Sequence, residues 1–317
     1  MFFYKKEQFG KFYEKPKLLW FQGGNVLFYD VGTAATKIFN DNQSEDLCSD
    51  EYKVVVRLRV EFFHCLFDTL AIILYEYNKN KDTLFIINVE DSLTEIPREH
   101  ESIVKFIFNI LDSKNIKYKK IGVGLKTPYI VNNFRYFPMF PLHANRIEEV
   151  IEASSIYFSN KSANKKVYLS RKKVNPNRGS NIFFAGVDPQ NFNFQDDIRL
   201  DDDDKVGNFF KDLGFEIVYP EDFVSMDEQI DFFSQVKTIA SVTSAGLANC
   251  IFMPEKSKVI ELTVPLVVGG TESLHNVYHS LSFVKKHKYV SIPSMRKSSD
   301  IIEIIQDDPD LLRFISE

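Results

Sequence analysis

The sequence predicts an α/β protein, and three observations predict it. Short apolar runs bounded by turn residues alternate with stretches of helical periodicity along most of the chain. The stretch from Thr238 to Leu262 reads as one complete strand–turn–helix–strand step. At 317 residues, the chain is long enough for two hydrophobic cores. We place the division in the polar stretch Ser159 to Lys166, giving domains 1–160 and 161–317.

The first half opens with strand-like runs at Lys17 to Phe21, Asn25 to Tyr29 and Thr36 to Phe39, with a hairpin turn at Gly23-Gly24. Asp41 to Glu51 is polar and acidic and reads as a loop, and Tyr52 to Val60 as a strand. From Glu61 the period becomes helical: Phe62, Cys65, Leu66, Thr69, Ile72, Ile73 and Tyr77. Leu84 to Val89 and Lys119 to Val123 are strands around an amphipathic helix, Glu99 to Leu111. Thr127 to Phe137 is strand-like with a turn near Asn132-Asn133, and Ala144 to Phe158 is helical.

The second half begins with a strand at Val167 to Ser170. Asp201 to Asp204 is a carboxylate run that suits a helix start, where negative charge meets the dipole, or a divalent cation. A helix follows over Lys205 to Leu213, with Gly214 as its C′ residue, then a strand at Phe215 to Tyr219. Ser225 and Glu228 form a capping box for a helix to Gln235. Thr238 to Val242 is a buried strand and Thr243-Ser244-Ala245-Gly246 a small-residue turn. Leu247, Asn249, Ile251 and Phe252 make a short helix, and Val259 to Leu262 the next strand. Helices at about Glu272 to Val284 and Ser299 to Ile315 close the chain.

Composition narrows the function. Hydrophobic residues are 44% and charged ones 26%, an ordinary globular balance, and most of the 30 Phe must be core. A net charge of −5 argues against nucleic-acid binding along the whole chain. Cys48, Cys65 and Cys250 lie far apart, without zinc or disulfide spacing. No apolar h-region follows the first residues and no run of 18 apolar residues occurs, so the expectation is a cytoplasmic protein with no membrane span.

Two constellations carry chemistry. Ligands of parallel sheets collect at the carboxyl ends of strands, and the turn at Ser244 to Gly246 puts a helix N-terminus there, with backbone N–H groups for an anion. The same residues also suit close packing of helix on strand. Glu61, His64 and Asp68, at spacings of three, four and seven, share one helix face. An Asp one turn after a His holds its tautomer and favours a base; it equally suits a structural cluster. His275 and His279 are one turn apart, with no third zinc ligand in sight.

Four segments stand together in order: EFFHCLFDTL at Glu61 to Leu70, VYLSRKK at Val167 to Lys173, LGFEIVYPEDFVSMDEQIDFFSQVKTIASV at Leu213 to Val242 and SAGLANCIFMPEKSKVIEL at Ser244 to Leu262. On these segments the chain resembles glycosyltransferase family 61. Thr243 and Ser244 stand where the family usually has His-Gly, and Glu61 where it has Asn. The resemblance implies a GT-B architecture: two Rossmann-like domains facing a cleft, with the C-terminal helix crossing back to the first. It implies an inverting transfer of a hexosyl, N-acetylhexosaminyl or pentosyl group from a nucleoside-diphosphate sugar, UDP-linked, to a hydroxyl of a glycan or glycoconjugate, without metal or other cofactor. The alternative is a catalytically decayed nucleotide-sugar or glycan-binding protein of the same fold. His64, Asp68 and Glu61 are then the catalytic candidates. Arg171 and Lys172 would meet the diphosphate beside Thr243, Ser244, Ala245 and Gly246, with Asn249 and His275 nearby. Glu261 would accept from ribose hydroxyls. A helix N-terminus contributes only about 0.3–2 kcal/mol, whereas a factor of ~10³ in rate needs about 4 kcal/mol. A charge-assisted contact of about 1.5–3 kcal/mol closes that gap.

Overall fold

The computed structural model describes residues 11–13, 17–22, 25–30, 45–47, 49–58, 62–90, 98–123, 129–131, 134–136, 144–171, 200–263, 266–268, 271–273, 277–294 and 297–317. The chain divides into two compact units, residues 1–150 with 183–185, and residues 151–182 with 186–317. Both contain parallel sheet with helices, the mixed α/β class that the alternating pattern predicts.

In the first unit, β1 (Lys11–Tyr13), β5 (Lys53–Arg57), β6 (Leu84–Glu90), β7 (Tyr118–Val123) and β9 (Phe134–Tyr136) form a sheet in the order β1-β9-β5-β6-β7. Its inner strands are parallel, and Val54, Val55 and Val56 on β5 are buried, as a strand covered on both faces requires. A second sheet has the order β3-β2-β8-β4, from β2 (Lys17–Gln22), β3 (Asn25–Asp30), β4 (Glu45–Leu47) and β8 (Tyr129–Val131). Gln22 pairs with Asn25, so β2 and β3 are the expected hairpin. Glu45–Leu47 is strand, not loop: it runs parallel to β8, a pairing too short to leave a periodicity. Thr36 to Phe39 lies outside the described residues.

After β5 the chain forms one continuous helix, α1, built of Phe62–His64, a π segment Cys65–Leu70 and Ala71–Lys79. The Ala71 N–H bonds the Leu66 carbonyl, the i→i+5 step of a π turn. Cys65, Leu66, Phe67 and Leu70 pack inward. Helices α2 (Arg98–Ser113) and α3 (Ala144–Ser154) follow; the latter ends in a 3₁₀ turn at Ser155–Tyr157.

The main sheet of the second unit is parallel, in the order β11-β10-β12-β13-β16, from β10 (Lys165–Leu169), β11 (Glu216–Val218), β12 (Val236–Val242), β13 (Lys258–Thr263) and β16 (Lys288–Pro293). One face buries Tyr168, Ala240, Val242, Ile260, Leu262 and Ile292 against Val206 and Phe210 of α4 (Asp203–Asp212) and Ile301 and Ile305 of α7 (Ser298–Asp307). On the other side lie α5 (Met226–Phe233), a 3₁₀ helix at Ala245–Phe252, and α6 (Val277–Val284). Ser225 caps α5 as expected, its Oγ accepting from the Glu228 N–H at 3.2 Å, while Glu228 accepts from the Val224 N–H at 3.0 Å. Gly214 has φ of +85°, which a C′ glycine adopts without strain.

Two corrections fall in this unit. The helix expected from Glu272 begins at Val277, because Thr271–Ser273 is β15, hairpinned onto β14 (Leu266–Val268). The β-branched run before Gly269-Gly270 favours that hairpin. The helix expected over Ser299 to Ile315 is two helices. Pro309 cannot continue α7, and Asp308 caps α8 (Pro309–Ser316) by accepting from the Asp310 and Leu311 N–H groups. Ile315 of α8 is buried in the core of the second unit. Among the described residues, no helix is long and apolar enough to cross a membrane.

Candidate functional site

The first unit contributes a histidine–carboxylate pair. His64 closes the first α segment of α1, and Asp68 sits in the π segment that follows. His64 Nδ1 and Asp68 Oδ2 are 2.6 Å apart. The inward face of this helix is anchored by Phe67, Leu66 and Leu70, so the pair is turned to the other side. The His64 side chain is 38% exposed and that of Asp68 17%. Phe63 packs edge-on against the imidazole at 5.4 Å. A carboxylate only accepts hydrogen bonds, so Nδ1 donates to Asp68 and Nε2 keeps the lone pair that can take a proton. Glu61 lies outside the described residues.

The second unit contributes the carboxyl edge of its sheet. Leu169 on β10 pairs with Ser241 on β12, so Arg171 and Thr243 leave adjacent strands at the same level. The structure thus brings Arg171 and the Thr243 to Gly246 turn together. Ser244 is extended, and the 3₁₀ helix starts at Ala245. The Leu247 N–H closes onto the Ser244 carbonyl at 3.0 Å. The N–H groups of Ala245 and Gly246, in the first turn, have no partner inside the helix. Ala245 is exposed and Gly246 half-buried. Thr243 differs: its N–H donates to the Leu262 carbonyl and its hydroxyl to Glu261 at 2.6 Å.

Glu261 departs from its expected role. It is 1% exposed, and it accepts from Thr243 Oγ1 and from the Tyr289 hydroxyl, both at 2.6 Å. Burial raises its pKa, and the two hydroxyls only partly offset that. Glu261 therefore ties β12, β13 and β16 together beneath the turn instead of presenting an oxygen to ribose. Asn249 is likewise internal: its amide donates to the Gly246 carbonyl at 2.7 Å and accepts from Gln229 at 2.7 Å. It shapes the turn from below. Lys172 and His275 lie outside the described residues, and the His279 ring packs edge-on to Tyr289.

Sequence reasoning missed the roles of Asp203 and Tyr289. Asp203 opens α4 and accepts from the Tyr168 hydroxyl at 2.7 Å, from the Ser170 hydroxyl, and from the Arg171 N–H at 3.1 Å. It fixes the strand end that carries Arg171. Tyr278 donates to the Ser244 carbonyl at 2.5 Å. Three carboxylates of the run are engaged within the fold. Asp201 accepts from the Ser298 N–H at 2.7 Å, which lowers its pKa, and Asp202 caps α4 through the Lys205 N–H. Among the described residues, no group of three His, Cys, Asp or Glu is placed to hold a metal ion.

This geometry places a histidine oriented by a carboxylate in one unit, and first-turn N–H groups at the same sheet edge as an arginine in the other. Residues 62–260 match the sequence model of a family described as Glycosyltransferase 61. No curated protein matches the chain.

Proposed function

The chain belongs to glycosyltransferase family 61, and from that premise we propose that it is an inverting, metal-independent transferase using a UDP-linked sugar. The first unit activates the acceptor and the second holds the donor, the division of labour of a GT-B enzyme. The observation that carries this reading is the 2.6 Å His64–Asp68 contact on an accessible helix face.

The acceptor is a hydroxyl of a glycan or glycoconjugate. Its oxygen attacks the anomeric carbon as the bond from that carbon to the diphosphate oxygen breaks. The hydroxyl proton passes to His64 Nε2, and Asp68 stabilises the imidazolium that results. Attack from the face opposite the leaving group inverts the anomeric configuration. The departing diphosphate meets the Arg171 side chain and the N–H groups of Ala245 and Gly246, with Lys172 and the Ser244 hydroxyl adding contacts. Thr243, Asn249 and Glu261 position the turn.

A thermal-shift screen with UDP, GDP and CMP in EDTA tests the donor half. A ligand at 100 times its Kd stabilises by about 2.7 kcal/mol, so a UDP-specific rise is the expected result. A shift only in the presence of a divalent cation would overturn metal independence, and no shift with any nucleotide would favour the decayed binding protein. Arg171→Ala is expected to weaken UDP by roughly tenfold or more, the loss of one charge-assisted contact, and to leave uridine binding unchanged. Equal weakening of both would remove Arg171 from the diphosphate.

A further inference from the structure

We propose that the amino-terminal edge of the second unit's sheet is a docking face for an anionic phospholipid bilayer. All five strands run parallel, so their amino ends share one edge, opposite the turn at Ser244 to Gly246. Four of the five are led in by lysine. Asn164-Lys165-Lys166 opens β10 and Gln235-Val236-Lys237 opens β12. Glu255-Lys256-Ser257-Lys258 opens β13 and Lys285-Lys286-His287-Lys288 opens β16, and Glu255 is the one carboxylate in these four stretches. In a chain of net charge −5 these four strand starts are a basic exception, with Glu216 opening the fifth strand, β11, at the same edge.

Register brings three of these lysines to one level, with Thr238 between the first two and Lys237 one residue before it. Lys166 aligns with Thr238, Thr238 with Lys258, and Lys258 with Lys288, at about 4.8 Å per strand. The charges act on one another: burial lowers the Lys258 pKa, Glu317 opposes this, and Lys166, Lys237 and Lys288 add to it. Part of the row is occupied by the fold. Lys258 donates to the Phe314 carbonyl at 2.7 Å and Lys166 to that of Ser316, both at the end of α8. Lys286 pairs with Glu255 at 3.2 Å. Lys237, Lys256 and Lys288 are exposed and form no ion pair among the described residues.

Two apolar side chains stand among these charges. Phe283, 76% exposed, sits in the last turn of α6, directly before Lys285 to Lys288. Ile156, 74% exposed, lies two residues from Phe158, whose ring is 5.8 Å from the Lys285 ammonium. A soluble acidic polymer would draw on the lysines alone. A bilayer uses both: headgroups meet the ammonium groups and the acyl boundary takes Phe283 and Ile156. Each lysine near an anionic membrane multiplies affinity about fivefold, an effect that salt screens.

The test is co-sedimentation of the full chain with vesicles of phosphatidylcholine alone or mixed equally with phosphatidylserine. The protein is expected to pellet with the mixed vesicles only, and to be released by salt. Combined Lys237→Glu, Lys256→Glu and Lys288→Glu is expected to weaken that binding by roughly a hundredfold or more. Phe283→Ser is expected to weaken it several-fold. All four positions are exposed, so melting should stay unchanged and loss of fold is not confounded with loss of binding. Any of three results would overturn the proposal: no pelleting with mixed vesicles, equal pelleting with both kinds, or full binding by the lysine variant. Binding that loses lysine dependence but not Phe283 dependence counts against it too, and unchanged binding by Phe283→Ser would assign the face to a charged polymer instead.

Discussion

Two carboxylates in this molecule hold hydrogen-bonded partners at the same 2.6 Å and are placed for opposite tasks. Asp68 holds one imidazole on a helix surface, with 38% of that side chain exposed. Glu261 holds two hydroxyls from two other strand ends, with 1% of its surface exposed. The pairing distance does not distinguish them. What distinguishes them is whether the partner has a second face open to a ligand: His64 has Nε2, whereas Thr243 and Tyr289 give their protons inward. A strand-interior carboxylate with its oxygens engaged is a brace, and a surface one behind a histidine is equipped for proton transfer.

The largest test of that contrast is His64→Ala. Transfer, read as UDP release from the donor that binds, is expected to fall ~10²–10⁴-fold, the usual range for a lost general base. The melting free energy should move by less than about 0.5 kcal/mol, as for an ordinary surface change. A large stability loss with modest loss of turnover would make the pair structural and erase the comparison. Glu261→Leu is expected to do the reverse. It leaves two largely buried hydroxyls without their acceptor, at about 1–3 kcal/mol each, so denaturant unfolding should show a loss of roughly 2–5 kcal/mol. A loss below about 1 kcal/mol would mean that the hydroxyls find other partners and that Glu261 is no brace.

The pH dependence sharpens the same point. Burial raises the Glu261 pKa above its ordinary 4.5, so the folded state holds this proton more tightly than the unfolded chain does. Its contribution is therefore fully present below pH 4.5 and is lost as pH rises through the raised value. Thermal melts across that window should decline with pH in the parent and lack this component in Glu261→Gln. Parallel curves for the two proteins would show that Glu261 titrates as it does unfolded. Ser225→Ala is the smallest expected change, about 1 kcal/mol for a lost N-cap. It separates a local contact from the tertiary brace, and a cost matching that of Glu261→Leu would contradict the ranking.

How much of this was legible varied with the range of the interaction. His64 and Asp68 were readable because four residues is one helical turn, whether the turn is α or locally π. The capping box at Ser225 and the C′ glycine at 214 are equally local. The turn at Ser244 to Gly246 was legible as small residues between two buried strands. The duties of Glu261 and Asn249 were not, because Tyr289 and Gln229 reach them from 28 and 20 residues away. Asp203 was hidden inside a run of four similar residues. Only its alignment with Tyr168, Ser170 and Arg171 sets it apart from Asp201 and Asp202.

The sequence by itself determined the α/β class, most helices and strands with their caps, the family motifs, and the candidate base. These rest on periodicity, backbone chemistry and spacing within a turn, all written in neighbouring residues. Tertiary structure alone decided which strands pair. Tyr129–Val131 and Phe134–Tyr136, nearly adjacent in sequence and alike in pattern, enter different sheets. It also decided that Glu261 faces inward and that four separate lysine-led strand starts become one edge. Strand pairing brings distant residues to one level, and no local pattern encodes which neighbour a strand will find.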